Sequence, residues 1–164
     1  MARSNSLLVA FCALTAAVAA SAQPAGLSAA DQAAAFRAAG FTQRGGQRRS
    51  DCEDPGTPSY EPGAIAEVRD LDGDGSPEAL IIEGGTFCYG HVGGGFFLVS
   101  KRADGSWVRL HQSQGMARIL DSRVNGWPEI EVGGPGFCFP ILQWDGKQFA
   151  GGPHAYGGRP SRPY

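Results

Sequence analysis

The segment DLDGDGSPE (residues 70–78) recurs later in the same chain as DSRVNGWPE (residues 121–129). Aspartate, glycine, proline and glutamate stand at identical spacing in the two segments, and Asn125 takes the place of Asp74. Each segment is followed by an apolar run, glycines, a Phe-Cys-aromatic triplet and an Asp-Gly pair. An internal repeat of this kind indicates a supersecondary unit that occurs twice. We expect a duplicated β-meander, with copies at about residues 64–111 and 116–150.

Turn signals around the two segments favour antiparallel strands. Asp104-Gly105 and Asp145-Gly146 are dipeptides typical of tight hairpin turns, and strand-like residues flank each pair. Residues 42–62 are polar and rich in glycine and proline, so an irregular connector is predicted there. Strands are predicted at 64–69, 78–83, 95–101, 106–111, 116–121, 129–133, 137–144 and 147–150.

One helix is predicted before the repeats, over residues 28–40. Ser28 is a suitable N-cap, Asp31 stands at the capping-box position, and Gly40 is a suitable left-handed C-cap. The 25 glycines and 11 prolines among 164 residues exclude a helical bundle or a coiled coil. The predicted fold is mainly β (α+β), with the helix packed on an antiparallel sheet formed by the duplicated meander.

The N-terminus is typical of a secretory signal peptide over residues 1–22. Arg3 is the basic residue, an apolar run follows, and Ala20-Ser21-Ala22 is a cleavage site before Gln23. Cleavage between Ala22 and Gln23 predicts a periplasmic or secreted protein with a single domain at 23–150. Residues 151–164, rich in glycine and proline, are predicted to be a disordered tail. No later run is long and apolar enough for a membrane span. A net charge of −2 without a long basic run argues against nucleic-acid binding.

Residues 70–78 carry the strongest chemical signal. Calcium takes six to eight oxygen ligands, and acids at alternate positions of a tight loop can supply them. The predicted ligands are Asp70, Asp72, Asp74, Ser76 through its backbone carbonyl, and Glu78, and calcium is the only cofactor we expect. An EF-hand is excluded because its twelfth loop position is Ile81 here and a strand-like run follows. The alternative is that the acids only cap a solvated turn.

This loop resembles the calcium loop of FG-GAP or VCBS-type β repeats of integrin-like propellers. The resemblance implies a calcium ion between two strands, with a role in structure and adhesion rather than catalysis. It maps onto the five ligand positions given above, with Glu78 where many members carry aspartate. It covers the loop and the start of the next strand. Because two copies cannot close a propeller, the resemblance extends to the loop and not to the fold. The rest of the chain resembles small secreted bacterial proteins of unknown function.

The second segment, residues 121–129, departs from this pattern at the position of Asp72. Arg123 stands there, and a fixed cation at a ligand position is incompatible with metal binding. We therefore expect no metal in this copy. Arg123 is instead predicted to pair with Asp121 or Glu129, as a substitute for the ion made by the protein itself.

The predicted mature chain contains three cysteines, Cys52, Cys88 and Cys138. In an oxidising compartment, two of them are expected to pair. The repeat favours a Cys88–Cys138 bridge between equivalent points of the two copies, and Cys52–Cys88 is the alternative. His91 lies three residues after Cys88, but a cross-linked cysteine is not available as a nucleophile.

The predicted function is an exported, non-catalytic binding or structural module stabilised by one calcium ion. Its expected partner is an unknown envelope or extracellular protein or glycan. The alternative is a secreted or periplasmic inhibitor of an envelope-active enzyme, acting through the loop around His91 or through Trp127. Trp127 is expected to be exposed because it lies in the turn of the second segment. A hydrolase ranks third.

Overall fold

The computed structural model describes residues 26–136, 139–156 and 159–161. The predicted signal peptide and Cys138 lie outside the described residues. Two helices and a single turn of 3-10 helix are present in the described part: α1 Ala29–Ala39, α2 Thr86–Tyr89 and the 3-10 turn Gly90–Val92. The strands are β1 Thr42–Arg44, β2 Gln47–Arg49, β3 Glu61–Arg69, β4 Glu78–Gly84, β5 Gly94–Lys101, β6 Trp107–Gln114, β7 Met116–Val124, β8 Trp127–Gly133, β9 Phe139–Trp144, β10 Phe149–Tyr156 and β11 Arg159–Ser161.

Helix α1 begins and ends as the sequence predicts. The N–H of Asp31 donates to Ser28 Oγ at 3.1 Å, which satisfies one of the free donors of the first turn. Gly40 ends the helix in the left-handed region with φ +94°, and its N–H donates to Arg37 O. Phe36 and Ala39 are buried and attach the helix to the sheet beside it.

Each repeat copy forms its own antiparallel sheet. The first sheet has the order β3-β4-β5-β6 and the second has the order β11-β10-β9-β8-β7, while β1 and β2 form a separate hairpin. The prediction of a mainly β protein with one N-terminal helix and antiparallel pairing is confirmed. The two copies do not share one sheet, however, because the chain leaves the first sheet at Gly115. This residue has φ +123°, and a Cβ on it would lie 2.6 Å from Gly133 O, so there is no room for a side chain.

Two apolar clusters hold three layers together. The helix packs on one face of the first sheet, and the second sheet packs on the other face. The cluster between helix and sheet comprises Ala35, Phe36, Ala39, Phe41, Ala79, Ile81, Phe97, Val99 and Trp107. The cluster between the sheets comprises Leu71, Leu80, Phe96, Leu98, Leu110, Trp127, Ile130, Val132, Leu142 and Phe149. Alternate residues of β4 therefore face opposite layers, as the period of a strand requires.

Two segments predicted to lack regular structure contain strands. The connector at residues 42–62 begins with the β1–β2 hairpin, in which Thr42 pairs with Arg49. The tail was predicted to be disordered from residue 151 onward, but residues 151–156 continue β10, which pairs with β9 on one side, and residues 159–161 form β11, which pairs with β10 on the other. The prediction is wrong for residues 151–156 and 159–161 of the tail and for the hairpin of the connector, because backbone pairing with a neighbouring strand needs no apolar periodicity. Residues 157–158 and 162–164 of the predicted tail lie outside the described residues.

The disulfide joins Cys52 to Cys88, with a Cα–Cα distance of 5.9 Å. The favoured Cys88–Cys138 bridge is therefore wrong, and the alternative pairing is the one observed. Cys88 lies in α2 at the end of the first sheet, where the connector brings Cys52 to it, and this approach is independent of the equivalence of the two copies. The bridge attaches residues 50–60 to the loop between β4 and β5.

Candidate metal site and its surroundings

The acidic loop joins β3 to β4 and is folded by its own carboxylates. Asp70 Oδ1 accepts the N–H of Gly73 at 2.7 Å, and Asp70 Oδ2 accepts the N–H of Gly75 at 3.0 Å. Gly73 and Gly75 have φ values of +82° and +88°, which favour glycine strongly over other residues. Asp72 Oδ1 accepts the N–H of Asp74 at 3.1 Å. The backbone thus winds closely around the acids.

Glu78 is the first residue of β4 and faces the second sheet, on the same side as Leu80. Only 2% of Glu78 is exposed. Its Oε2 accepts the N–H of Leu71 at 2.7 Å, whereas its Oε1 is buried without a hydrogen-bond partner among the described residues. One oxygen from each of Asp70, Asp72 and Glu78 lies within 4.8 Å of the other two. A buried carboxylate thus closes the inner side of an exposed acidic loop.

The structure separates the five predicted ligands into two groups. Asp70, Asp72 and Glu78 come together as described. Asp74 is exposed, and its Oδ1 accepts the N–H of Ser76 at 2.7 Å, so these two residues form the outer turn of the loop. Ligation by Asp74 and by the Ser76 carbonyl remains a prediction.

Burial and mutual repulsion disfavour negative charge in this group. Burial raises the pKa of Glu78 to about 7, and the charges of Asp72 and Asp74 act in the same direction, against the hydrogen bond from Leu71. Ser100, which is opposite Glu78 in the β4–β5 pair, acts against burial: a hydrogen bond from its side chain lowers the pKa of Glu78, and its hydroxyl also lies 3.4 Å from Lys101 O. Burial, together with Asp74 and Asp70, also raises the pKa of Asp72. A proton or a cation would relieve this repulsion.

The second turn, residues 121–129, places Arg123 differently from the prediction. Nη1 of Arg123 donates to Leu71 O at 2.8 Å and to Gly126 O at 2.7 Å. The guanidinium therefore bridges the two repeat copies through carbonyl oxygens instead of pairing with Asp121 or Glu129, and Glu129 accepts from Gln143 Nε2. The prediction of an ion pair within the second copy is wrong, because the loop of the first copy lies within reach.

Trp127 is buried, with 5% of its surface exposed, so its predicted contact with a partner is wrong. It starts β8 on the face that packs against the first sheet. Its ring lies 4.9 Å from that of Trp144 and 5.7 Å from that of Phe149, measured between centroids. In the second copy Trp127 takes the place of Ser76, and the core between the sheets reaches this position.

Glu83 forms a second buried polar centre that the sequence analysis missed. Both of its oxygens accept hydrogen bonds, from the N–H and hydroxyl of Ser50 and from the phenols of Tyr60 and Tyr89, each phenol at 2.7 Å. Burial and the Glu83 carboxylate raise the pKa of Tyr60 to about 12. The position of Glu83 directly after the apolar run at residues 79–82 was the feature of the sequence that could have indicated this centre. With the Cys52–Cys88 bridge, this centre holds residues 50–60 and 86–93 against the sheet.

The loop at residues 86–93 contains His91, the other predicted contact residue. His91 is exposed, and Phe87 in α2 is 59% exposed although it is a large apolar residue. The fixed backbone beneath them, held at Cys88 and Tyr89, presents both side chains to solvent.

Comparison of the chain with protein-family models, with curated proteins and with solved structures finds no match. In the described part of the chain, no helix is long and apolar enough to cross a membrane.

Proposed function

We propose that the protein is a non-catalytic binding module of the periplasm or cell exterior whose fold is stabilised by one calcium ion. Asp70, Asp72 and Glu78 would hold the ion. The observation that supports this proposal is Oε1 of Glu78, a buried carboxylate oxygen without a hydrogen-bond partner among the described residues, in a group of three converging acids. Leaving such an atom unpaired is costly, and a bound cation removes the cost.

The donor set fits calcium in its chemistry. Three carboxylates offer up to six oxygens, and calcium binds six to eight hard oxygen ligands with flexible geometry. The remaining positions would be filled by Asp74, by the Ser76 carbonyl or by water. Magnesium fits less well, since it requires near-octahedral geometry and retains its water.

The ion's expected role is structural because of where the loop is attached. Leu71, between Asp70 and Asp72, is buried in the core between the two sheets. Glu78 opens β4, a central strand of the first sheet. An ion at this point would fix the β3–β4 connection against the second sheet and leave the other surfaces free to contact an envelope or extracellular protein or glycan.

Calorimetric titration with calcium tests the ion site, and the repeat supplies a matched control. Asp70→Asn should abolish the binding heat and the calcium-dependent rise in melting temperature. Asp121→Asn makes the same change at the equivalent position of the second turn and should leave both unchanged. Absence of binding heat in the wild-type protein at millimolar calcium would refute the ion site. Retention of an envelope partner with calcium, and its loss with a chelator, would support the binding role.

A second candidate function, inhibition of an envelope-active enzyme, is favoured by the loop at residues 86–93. Phe87 is largely exposed beside the disulfide, and a preorganised loop with an exposed aromatic residue loses little entropy on binding. Phe87→Ala should abolish inhibition of a cell-wall hydrolase, whereas Arg37→Ala on the helix layer should not. Inhibition that is insensitive to a chelator would distinguish this function from the first.

A further inference from the structure

We propose that Arg123, a residue of the second copy, is a positioning residue for the calcium loop of the first copy and sets its affinity for the ion. This inference rests on the proposed function. It concerns a residue that touches none of the three carboxylates in the described contacts, but donates to the backbone between two of them.

Leu71 is held at three points. Its N–H donates to Glu78 Oε2 at 2.7 Å, its side chain is buried between the sheets, and its carbonyl accepts from Arg123 at 2.8 Å. Since Leu71 lies between Asp70 and Asp72, the orientation of its backbone determines the directions in which both carboxylates leave the chain. Fixing its two peptide groups therefore fixes the relative placement of two ligands.

Arg123 is itself held in place by the second turn. The same Nη1 atom donates to Gly126 O at 2.7 Å, across the turn between β7 and β8. In that turn Asn125 has φ +52° and Gly126 has φ +86°, and Asn125 Nδ2 donates to Trp144 O at 2.8 Å. Hydrogen bonds from a charged donor are stronger than neutral ones. The second turn thus presents a fixed cation to the backbone of the acidic loop at residues 70–78.

Charge and geometry predict opposite effects of removing Arg123. As a nearby positive charge, the guanidinium repels calcium, so its removal should tighten binding. As an anchor of Leu71, it keeps the ligands arranged before the ion arrives, so its removal should weaken binding. The sign of the change in dissociation constant therefore separates the two roles.

The test is calorimetric titration of the full chain with calcium alone. Arg123→Met keeps a long apolar stem without donors and should weaken calcium binding about tenfold, in line with the loss of one charge-assisted hydrogen bond. Arg123→Lys retains a charged donor and should recover most of that loss. Arg37→Met removes the same charge from the exposed end of α1 and should leave the affinity unchanged.

Hydrogen exchange in the wild-type protein supplies a second measurement that does not depend on the folding of a variant. Calcium should slow exchange in the loop at residues 70–78 and also in the turn at 123–127, but not in the hairpin turn at 104–106. Affinity in Arg123→Met equal to or tighter than wild type, or calcium protection confined to residues 70–78, would overturn the inference. A wild-type protein that binds no calcium would refute the proposed function, and the inference with it. Wild-type binding with unchanged affinity in Arg123→Met would refute the inference alone.

Discussion

In the calcium-free protein, the free energy of unfolding should decrease as the pH rises from about 5 to about 8. We expect the carboxyl group of Glu78 to cause this decrease. Burial raises the pKa of this carboxyl in the folded protein to about 7, from an ordinary value of 4.5. Between these two values the folded state binds a proton that the unfolded state releases. The free energy of unfolding therefore decreases with rising pH across this interval and levels off above about 7.

The size of the decrease in the free energy of unfolding follows from the difference between the two pKa values of Glu78. Each pH unit contributes about 1.4 kcal/mol, so the interval from 4.5 to about 7 corresponds to at most about 3.5 kcal/mol. Asp70 and Asp74, which belong to the same loop, are exposed, so solvent screens part of this interaction and we expect about 2 kcal/mol. His111 acts in the opposite direction, because burial lowers its pKa and stability is lost when it must bind a proton below pH 6.5.

The comparison of wild type with Glu78→Gln removes the contribution of His111, since both proteins contain it. Urea unfolding with a chelator, at about pH 5 and about pH 8, should show wild type losing about 2 kcal/mol more than the variant over this range. Addition of calcium at the higher pH should restore the stability of wild type and leave the variant unchanged. Equal pH dependence in both proteins would refute the reasoning, because it would mean that the Glu78 carboxyl titrates as it does in the unfolded chain.

Three further changes test the scaffold around the site. Replacement of Cys52 and Cys88 by alanine should lower the free energy of unfolding by about 3–4 kcal/mol in urea titrations, because the bridge closes a loop with a sequence separation of 36 residues. Trp127→Ala should cost about 3–5 kcal/mol and abolish most of the near-ultraviolet circular dichroism, and a cost below about 1 kcal/mol would show that the ring is not in the core. Gly115→Ala should lower the melting temperature markedly, since the new Cβ would lie 2.6 Å from a backbone oxygen of β8, whereas Gly134→Ala has open space and should be nearly neutral.

The fold was predictable where local chemistry decides it. Ser28 and Gly40 specify the ends of α1, and the Asp-Gly pairs at 104–105 and 145–146 lie between the strands they were predicted to connect. The repeat predicted two meanders, but their mutual arrangement depends on contacts that no local pattern encodes. The separation into two sheets arises at Gly115, whose close approach to Gly133 is visible only in three dimensions.

The sequence identifies the acids of the candidate site, but it does not predict their burial or their contacts in three dimensions. Alternating acids identified the loop, yet the burial of Glu78 follows from the second sheet packing over β4. The same packing buries Trp127 and brings Arg123 to Leu71. Spacing along the chain cannot report these contacts, because all of them join one copy to the other. The network around Glu83 is missed for a different reason: Ser50, Tyr60 and Tyr89 reach it from three separate segments of the connector and the first copy.

The two turns therefore contribute differently to the contact between the two copies. The second turn carries Arg123 at the position of Asp72, and this arginine reaches the backbone of the first turn. A second acidic loop at this contact would place two groups of carboxylates against each other across a partly buried interface, and their repulsion would oppose packing of the sheets. Arg123 at this contact lessens that repulsion and adds a charge-assisted hydrogen bond to Leu71 O. On this argument, restoring the acid with Arg123→Asp should not create a second calcium site, and should lower the stability of the metal-free protein more than Arg123→Met does.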